Sequence, residues 1–224
     1  MSESIIFYRI PKNASTSIYD KLGSLNFIKK HDSIISVNVN QKIYKNFFTP
    51  SHLKPHELFN IIGPTVKKHF SFCVVRNPWD RVVSMYKFAT KYKLNKLYDI
   101  RDNLNFLDFC NILNDHKNDK YFLASHLQSE WAFDYPRPNK ILKFENIQED
   151  FEKMAKNANL NLLSNKLPHL NDTEHSHYSD YYNRETKLIV YNLFEQDIDN
   201  FKYTFNSECF GSPKPKESKG SLRI

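Results

Sequence analysis

Arg76 and Ser84 are the residues whose types and spacing most clearly suggest chemistry. Arg76 directly follows the apolar run of residues 72–75, which is typical of a strand covered on both faces. Pro78 suits the first turn of a helix that would carry Ser84 two turns later. A guanidinium and a hydroxyl placed in this way can converge on one phosphate. The segment alone leaves open the alternative that Arg76 pairs with Asp80.

A second polar segment lies between an early apolar strand and a helix. It comprises Pro11, Lys12, Asn13, Ala14, Ser15, Thr16 and Ser17. At such a place, backbone N–H groups and the helix dipole favour an anion, and Lys12 adds positive charge. The Walker loop requires Gly at its start and before its Lys, and this loop has no Gly. The pattern therefore predicts an anion site unlike an ATP or GTP loop, with helix capping by Asn13, Ser15 or Thr16 as the alternative.

Three strand-to-helix units have to position these residues. Apolar or alternating runs predict strands at residues 5–10, 72–75 and 140–144. A helix follows each strand: the first runs to about residue 22, the second to about residue 92, and the third covers residues 147–158. Alternating strands and helices favour an α/β protein with three layers, α/β/α, around a central, mostly parallel sheet.

The rest of the chain is predicted to be less regular. Further helices are predicted after Pro55 and at residues 104–113, 121–133 and 184–197, extended stretches at residues 34–39 and 47–53, and a loop at residues 167–182. Residues 212–224, rich in Pro, Lys and Ser, are predicted to form a flexible tail behind a single domain of residues 1–211.

The overall composition narrows the possible classes of protein. The 224 residues, of which 40% are hydrophobic and 15% aromatic, can build one large core, and only four are glycines, which excludes a fibrous chain. The 32 basic residues against 25 acidic ones give a formal charge of +7. Such a charge favours an anionic partner, which includes phosphorylated nucleotides, acidic polysaccharides and nucleic acids.

The cysteines and the first residues of the chain indicate its environment. Three cysteines are too few and too far apart for a disulfide framework or a zinc site, so no metal is expected. Cys73 and Cys110 are interpreted as small core residues. Residues 1–4 are polar and lead directly into the first strand, without a signal peptide or membrane span, which predicts a cytoplasmic protein.

Taken together, the two polar segments resemble those of the sulfotransferases that use 3′-phosphoadenosine-5′-phosphosulfate (PAPS). Residues 10–17 are similar to that family's 5′-phosphosulfate loop, and residues 72–84 are similar to its 3′-phosphate motif. Residues 75–86 most resemble the carbohydrate branch, which includes the heparan sulfate 2-O-sulfotransferases and bacterial relatives. The resemblance continues through residues 143–147, 167–171 and 197–203, and so covers nearly the whole chain.

The resemblance implies a P-loop-NTPase-like sulfotransferase fold and transfer of a sulfuryl group from PAPS to an acceptor hydroxyl. The other product would be adenosine 3′,5′-bisphosphate (PAP). In-line transfer needs a base on one side and positive charge on the other. Lys12, helped by Thr16, Ser17 and the loop amides, is expected to stabilise the leaving 5′-phosphate. Arg76 and Ser84 are expected to bind the 3′-phosphate.

His52 is the expected base, because imidazole titrates near neutrality and His52 follows a predicted extended stretch. In this it resembles the catalytic His of the carbohydrate branch, and His56 is the alternative. His169, His175 and His177 lack the spacing of a metal site and are interpreted as part of a polar loop near the acceptor or the nucleotide.

Several other conspicuous residues are interpreted as structural. Glu145 lies where a strand ends and a helix begins, so its carboxylate could accept bonds from helix amides, with the fixing of a catalytic neighbour as the alternative. Arg81 is expected to support the helix that follows Arg76. Trp79, Trp131 and Tyr135 could stack on adenine or sugar, although core packing is the commoner role of such aromatic residues.

Two features depart from the family's pattern. Asn13 stands where the family commonly has Thr, which removes one hydroxyl but leaves the backbone amides. The membrane anchor of the Golgi enzymes is missing, which implies a prokaryotic or viral cytoplasmic form. The implied partner is a hydroxyl-bearing acceptor, with a glycan as the expected class and nucleic acid not expected.

Two other function classes are alternatives. A noncatalytic polyanion or nucleic-acid binding protein would use the charge of +7, and its binding would depend steeply on salt without selecting a nucleotide. A nucleotide kinase would have a related fold, but the Gly-free loop argues against it.

Overall fold

The computed structural model describes residues 5–23, 52–92, 104–158, 166–168 and 176–206. Within these residues three parallel strands form one sheet in the order β1-β2-β3, with β1 at Ile5–Tyr8, β2 at Phe70–Val75 and β3 at Lys140–Lys143. Tyr8 pairs with Cys73, and Val75 pairs with Lys143. The carboxyl ends of the three strands therefore meet at one edge. The first strand is two residues shorter than the predicted 5–10.

Seven α-helices surround the sheet in the described part of the chain. They are α1 Ser15–Gly23, α2 Pro55–Ile62, α3 Pro78–Lys91, α4 Phe106–Asp115, α5 Ser129–Ala132, α6 Ile147–Asn157 and α7 Arg184–Phe201. Short 3-10 helices occupy Gly63–Lys68, Phe144–Asn146 and Tyr178–Tyr181. The protein is therefore a mixed α/β protein with a small parallel sheet.

Strand side chains alternate between two apolar clusters because successive residues of a strand point to opposite faces. On one face, Ile5, Phe72 and Leu142 pack with Ile18 of α1 and Phe151 of α6. Phe72 and Phe151 are fully buried, and burial of a side chain of this kind stabilises the fold by about 2 kcal/mol. This cluster holds α1, the helix that follows the Lys12 loop, against the sheet.

The other face packs against different helices. Tyr8, Cys73 and Val75 contact Leu58 of α2 and Trp131 of α5. Cys73 is fully buried, as the sequence predicted.

Helix α3 is held by a third apolar cluster. Val82 and Val83 of α3 pack with Phe109 of α4 and with Val190 and Phe194 of α7. Cys110 of α4 also belongs to this cluster and is fully buried, as predicted. The cluster fixes the helix that follows Arg76.

The predicted helix at residues 121–133 is wrong, because only Ser129–Ala132 are helical. The chain before them forms turns in which the N–H groups of Phe122, Ser125 and His126 reach back three residues, as Ser125 N does to Phe122 O at 3.0 Å. The Ser125 hydroxyl also donates to backbone carbonyls. Asp197 accepts hydrogen bonds from the amides of Gln128 and Ser129, at 2.6 and 2.9 Å. Side-chain partners therefore replace the helical hydrogen bonds here.

Other predicted boundaries shift or lie outside the described residues. Helix α7 continues four residues past the predicted end at residue 197, because Ile198 and Phe201 are buried. The extended stretch at residues 34–39, most of that at residues 47–53, and the tail at residues 212–224 lie outside the described residues.

Candidate anion-binding and catalytic site

The loop before α1 takes a backbone conformation that usually requires glycine. Lys12 has φ 67° and Ala14 has φ 55°. The left-handed region costs a residue with a Cβ about 1–2 kcal/mol. Backbone of this kind can turn successive N–H groups to one side and form a concave anion site. The Gly-free loop thus has a strained geometry, which contacts from elsewhere must stabilise.

Asn13 provides one of those contacts. Its side chain is only 1% exposed, and Nδ2 donates to Val74 O and to Gln128 Oε1, both at 2.7 Å. Its Oδ1 has no hydrogen-bond partner among the described residues, so Asn13 does not cap α1. The capping alternative is therefore wrong for this residue. Asn13 links the loop to β2 from inside the protein.

Lys12 is the cation of this loop. It is half-buried, and its Nζ lies 4.0 Å from the centroid of the Phe88 ring. Burial, together with repulsion from Arg76 and Lys91, lowers the pKa of Lys12 to about 8. A desolvated ammonium group of this kind gains more from an arriving anion than a solvated one does.

The remaining loop residues differ in accessibility. Thr16 is exposed, Ser15 is half-buried and Ser17 is buried. They form the first turn of α1, whose N–H groups have no acceptor within the helix. Pro11 is half-buried, and its carbonyl accepts from Arg81 Nε at 3.3 Å. The Thr16 hydroxyl is therefore the most accessible of the three.

Arg76 connects the two polar segments. It is 7% exposed, its Nη1 donates to Lys12 O at 3.1 Å, and its guanidinium lies 4.0 Å from the centroid of the Phe144 ring. Its Nε donates to Asp80 at 2.8 Å, so the ion pair named as the alternative is present. The same guanidinium nevertheless contacts the Lys12 loop, which brings the two segments together.

Ser84 lies in α3 and is 5% exposed. In the described part of the chain its side chain makes no hydrogen bond to Lys12, Asn13 or Arg76. The start of α3 is well capped: Asn77 Oδ1 accepts from Trp79 N at 3.1 Å, and Glu145 Oε1 accepts from Asn77 N at 2.6 Å. Glu145 thus has the structural role inferred from its position.

His52 lies beside the strand that leads into the loop. Its Nδ1 is 2.7 Å from the carbonyl oxygen of Arg9. Because a carbonyl oxygen can only accept, Nδ1 carries the proton, and Nε2 of the neutral ring carries the lone pair. Burial lowers the pKa of His52, and the hydrogen bond to Arg9 opposes this shift. The hydrogen bond thus holds a neutral imidazole at Arg9, which precedes Lys12 by three residues in the chain.

His56 is placed differently. It is half-exposed on α2, and its Nδ1 lies 2.5 Å from Asp134 Oδ2. Its hydrogen bonds connect α2 to the chain after α5 rather than to the loop. The geometry therefore favours His52 over His56 as the base.

A charged cluster lies next to the chain around His52. Glu130 contacts Lys54 Nζ, and His126 Nδ1 lies 3.0 Å from Glu130 Oε2. Burial alone would raise the pKa of Glu130, but its bonds with His126 and Lys54 lower it to about 2. This cluster therefore helps to hold residues 126–130 in place, as Asp197 does through the amides of Gln128 and Ser129.

Two buried polar residues lie near the site: Gln128, which the sequence did not indicate, and Arg81, which has the structural role expected of it. Gln128 is fully buried and contacts both segments, but the sequence placed it inside a predicted helix. Arg81 is also fully buried, and its Nη1 donates to His126 O at 2.9 Å. Burial lowers the pKa of Arg81 to about 10, while Asp197 opposes the shift. A charged residue among the apolar positions of α3 was the available signal for Arg81.

Of the three aromatic residues considered for stacking on the ligand, two are buried. Trp79 and Trp131 are 3% and 0% exposed, so they pack in the core, whereas Tyr135 is exposed. His177 Nδ1 lies 2.8 Å from Ser179 Oγ, and His169 and His175 lie outside the described residues.

Within the described ranges, no three His, Cys, Asp or Glu side chains are grouped to hold a metal ion. No helix in the same part of the chain combines the length and apolar character of a membrane span.

Of three comparisons with known proteins, the one with protein families gave a match. Residues 2–204 match a family described as the sulfotransferase family. Searches of curated proteins and of solved structures gave no match. The match includes both polar segments, the three strands and nearly all of the described residues, and the chain therefore belongs to the sulfotransferase family.

Proposed function

We propose that this protein transfers a sulfuryl group from PAPS to a hydroxyl group of a carbohydrate. Membership of the sulfotransferase family supports sulfuryl transfer in general, and that family generally uses PAPS as donor. The observation that carries the proposal is the hydrogen bond from Arg76 Nη1 to Lys12 O. Through it, two segments suited to anions meet where the parallel strands end, which is where open α/β sheets bind ligands.

We also infer the three-layer, P-loop-like form of the fold. Its support is the packing of the two sheet faces, one on α1 and α6 and the other on α2 and α5. A loop between β1 and α1 then corresponds to the phosphate loop of such folds. Residues 1–211 would form the single domain.

The residues present fit a donor with two separate anionic groups. Lys12, the amides before α1 and the hydroxyls of Ser15, Thr16 and Ser17 would bind the 5′-phosphosulfate. Arg76 and Ser84 would bind the 3′-phosphate. The lowered pKa of Lys12, which burial causes, is consistent with a cation that awaits an anion.

The chemistry would use two groups on opposite sides of the sulfur. His52 Nε2 would take the proton of the acceptor hydroxyl as the new O–S bond forms. As the bond from sulfur to the bridging oxygen breaks, Lys12 would stabilise the charge left on the 5′-phosphate. The hydrogen bond from His52 Nδ1 to Arg9 O keeps the imidazole in the required tautomer.

The carbohydrate acceptor is supported by the sequence of residues 75–86 and by the formal charge of +7. A basic protein attracts acidic glycans over distances of about a Debye length. An acceptor screen with labelled PAPS and a panel of acidic and neutral glycans tests this class directly. Transfer to small phenols or peptides, with none to glycans, would contradict it.

Calorimetry with PAP tests the donor. We expect micromolar binding to the wild-type protein and a loss of about 10- to 100-fold in Arg76→Ala, because a charge-assisted bond to phosphate is removed. Arg137→Ala is the matched control, since it removes the same charge from an exposed position. Absence of PAP binding would overturn the proposal. Steeply salt-dependent binding without preference for PAP would instead favour a polyanion-binding protein.

A further inference from the structure

Gln128 contacts both anion-binding segments through one amide group. Its side chain is fully buried. Its Oε1 accepts from Asn13 Nδ2 at 2.7 Å and from the backbone N of Arg76 at 2.8 Å. Its Nε2 donates to the carbonyl of Arg76 at 2.8 Å. The amide therefore pairs with Arg76 as a neighbouring strand would, and it reaches the Lys12 loop at the same time.

The chemistry of these contacts fixes the orientation of both amides. The N–H and the C=O of Arg76 decide which end of the Gln128 amide is nitrogen and which is oxygen. Asn13 Nδ2 then faces two acceptors, Gln128 Oε1 and Val74 O. A Thr at position 13 has a single donor and cannot serve both acceptors. Asn13, which departs from the family's pattern, thus supplies both donors of this link.

Gln128 is itself held in place from two directions. Asp197 accepts from the backbone amides of Gln128 and Ser129 on one side. On the other side, Glu130 Oε1 accepts from the amide of Leu127 at 3.0 Å. The backbone that carries the Gln128 side chain is therefore fixed on both sides of that side chain.

We propose that Gln128 is a positioning residue that sets the separation of the Lys12 loop and Arg76, so that one ligand with two phosphate groups can bridge them. This inference rests on the proposed function. Gln128 acts through Asn13 and the backbone of Arg76. A ligand with one phosphate occupies one segment and does not depend on the separation, whereas a bisphosphate does.

The test compares three nucleotides on matched variants. Gln128→Met keeps the length of the side chain and removes the amide, and Gln148→Met is the same change on α6. Calorimetry with PAP, adenosine 5′-monophosphate and adenosine 3′-monophosphate gives the affinities. For Gln128→Met we expect a loss of about 10- to 100-fold for PAP and less than about threefold for each monophosphate. Gln148→Met should leave all three unchanged. Equal losses for the three nucleotides would overturn the proposal.

Asn13→Ala removes the loop residue that bonds to Gln128, and it provides the same test if Gln128→Met does not fold. It should show the same contrast between PAP and the monophosphates. In the double variant with Gln128→Met, the two losses should overlap, because both changes remove one link. Fully additive losses would show that the two residues act separately.

Hydrogen exchange of the ligand-free protein provides a readout that does not depend on the proposed function. In Gln128→Met, the amide of Arg76 and the amides of residues 12–16 should exchange faster than in the wild-type protein and in Gln148→Met. Unchanged exchange in both segments would refute the link. If the wild-type protein does not bind PAP, the proposed function fails, and the exchange rates still decide whether Gln128 connects the segments.

Discussion

The Lys12 loop and the Arg76 segment differ in how their backbones are stabilised. The Arg76 segment is a regular connection from a strand to a helix. Asn77 caps this helix, and its Oδ1 accepts a hydrogen bond from the amide of Trp79 two residues later. The loop has two non-glycine residues with positive φ and depends on Asn13 and Arg76 for contacts to other elements. The Arg76 segment thus has a local cap in addition to its bonds with Gln128 and Glu145, whereas the contacts described for the loop all come from distant elements.

The difference suggests separate roles, which substitutions at Lys12 and Arg76 should reveal. We expect Lys12→Ala to lower kcat by about a thousandfold and to raise donor KM by a smaller factor than Arg76→Ala does, because the charge acts mainly on the leaving group. Arg76→Ala should instead raise donor KM by about 10- to 100-fold with kcat nearly unchanged. Steady-state kinetics measures both constants.

Lys117→Ala is the control for lost positive charge, since Lys117 is exposed. It should change neither constant. If Lys12→Ala and Arg76→Ala alter kcat and KM in the same proportion, the division of roles between the segments is wrong.

His52 belongs with the loop because it bonds to Arg9, and its removal is the next largest effect. We expect His52→Ala to fold and to lose about a hundredfold in kcat, as general bases contribute at least this much. His56→Ala should retain activity. Circular dichroism checks the fold of both variants, and a fully active His52→Ala protein would exclude His52 as the base.

The pH profile gives a related test. Since burial lowers the pKa of His52 from 6.5, wild-type activity should fall only as the pH drops below this value. Above that range the imidazole is neutral and can accept a proton. The acidic limb should disappear from the residual activity of His52→Ala.

The lowered pKa of Lys12 predicts that PAP binding depends on pH. Its pKa of about 8 means that the ammonium group of the ligand-free protein loses its proton as the pH rises through 8. PAP affinity should therefore fall above pH 8, by up to about tenfold per pH unit. Lys12→Arg keeps its charge, so its affinity should stay level over the same range. A wild-type profile without this fall would contradict the assignment of Lys12 to the phosphate site.

The lowered pKa of Lys12 affects stability in the opposite direction to PAP binding, because the free energy of unfolding should rise with pH. In the unfolded chain Lys12 keeps its proton up to its ordinary pKa of 10.5, so between pH 8 and 10.5 the unfolded state binds more protons than the folded state. This group therefore makes the ligand-free protein more stable as the pH rises through that range. Urea unfolding of the wild-type protein and Lys12→Met measures the difference.

The cap of α3 should produce a smaller change. Asn77→Ala is expected to lower the free energy of unfolding by about 1 kcal/mol, because Trp79 N loses its acceptor. Asn105→Ala removes a similar cap from α4, where Asn105 Oδ1 accepts from Asp108 N at 2.9 Å. Urea unfolding should show a larger loss for Asn77→Ala, because Asn77 Nδ2 also donates to Thr204 O at 3.0 Å, and only Asn77→Ala should also weaken PAP binding.

The smallest change concerns the strained backbone of the loop. Ala14→Gly relieves the cost of φ 55° but makes the unfolded chain more flexible, so the net gain in stability should be at most about 1 kcal/mol. Ala89→Gly in α3 should instead destabilise by about 1 kcal/mol. A clear loss of stability in Ala14→Gly would show that the loop is not strained at this residue.

The sequence predicted the Arg76 segment better than the Lys12 loop for a physical reason. An apolar run followed by Asn77 and Pro78 is a local signal, and β2 and α3 lie where it indicates. The meeting of Arg76 with Lys12 O joins residues 64 apart in the chain and has no local signal. Gln128 was missed because turns replaced the helix that the apolar spacing of residues 121–133 indicated.

The contacts of Gln128 also bear on the order in which the protein acquires its site during synthesis. Gln128 bonds to Asn13 across 115 positions, and Asp197 supports Gln128 from 69 positions further on. Closing such long loops is slow compared with forming local structure. A nascent chain that ends before α7 therefore lacks the support of Gln128, and the two anion-binding segments reach their final separation only after nearly the whole domain has left the ribosome.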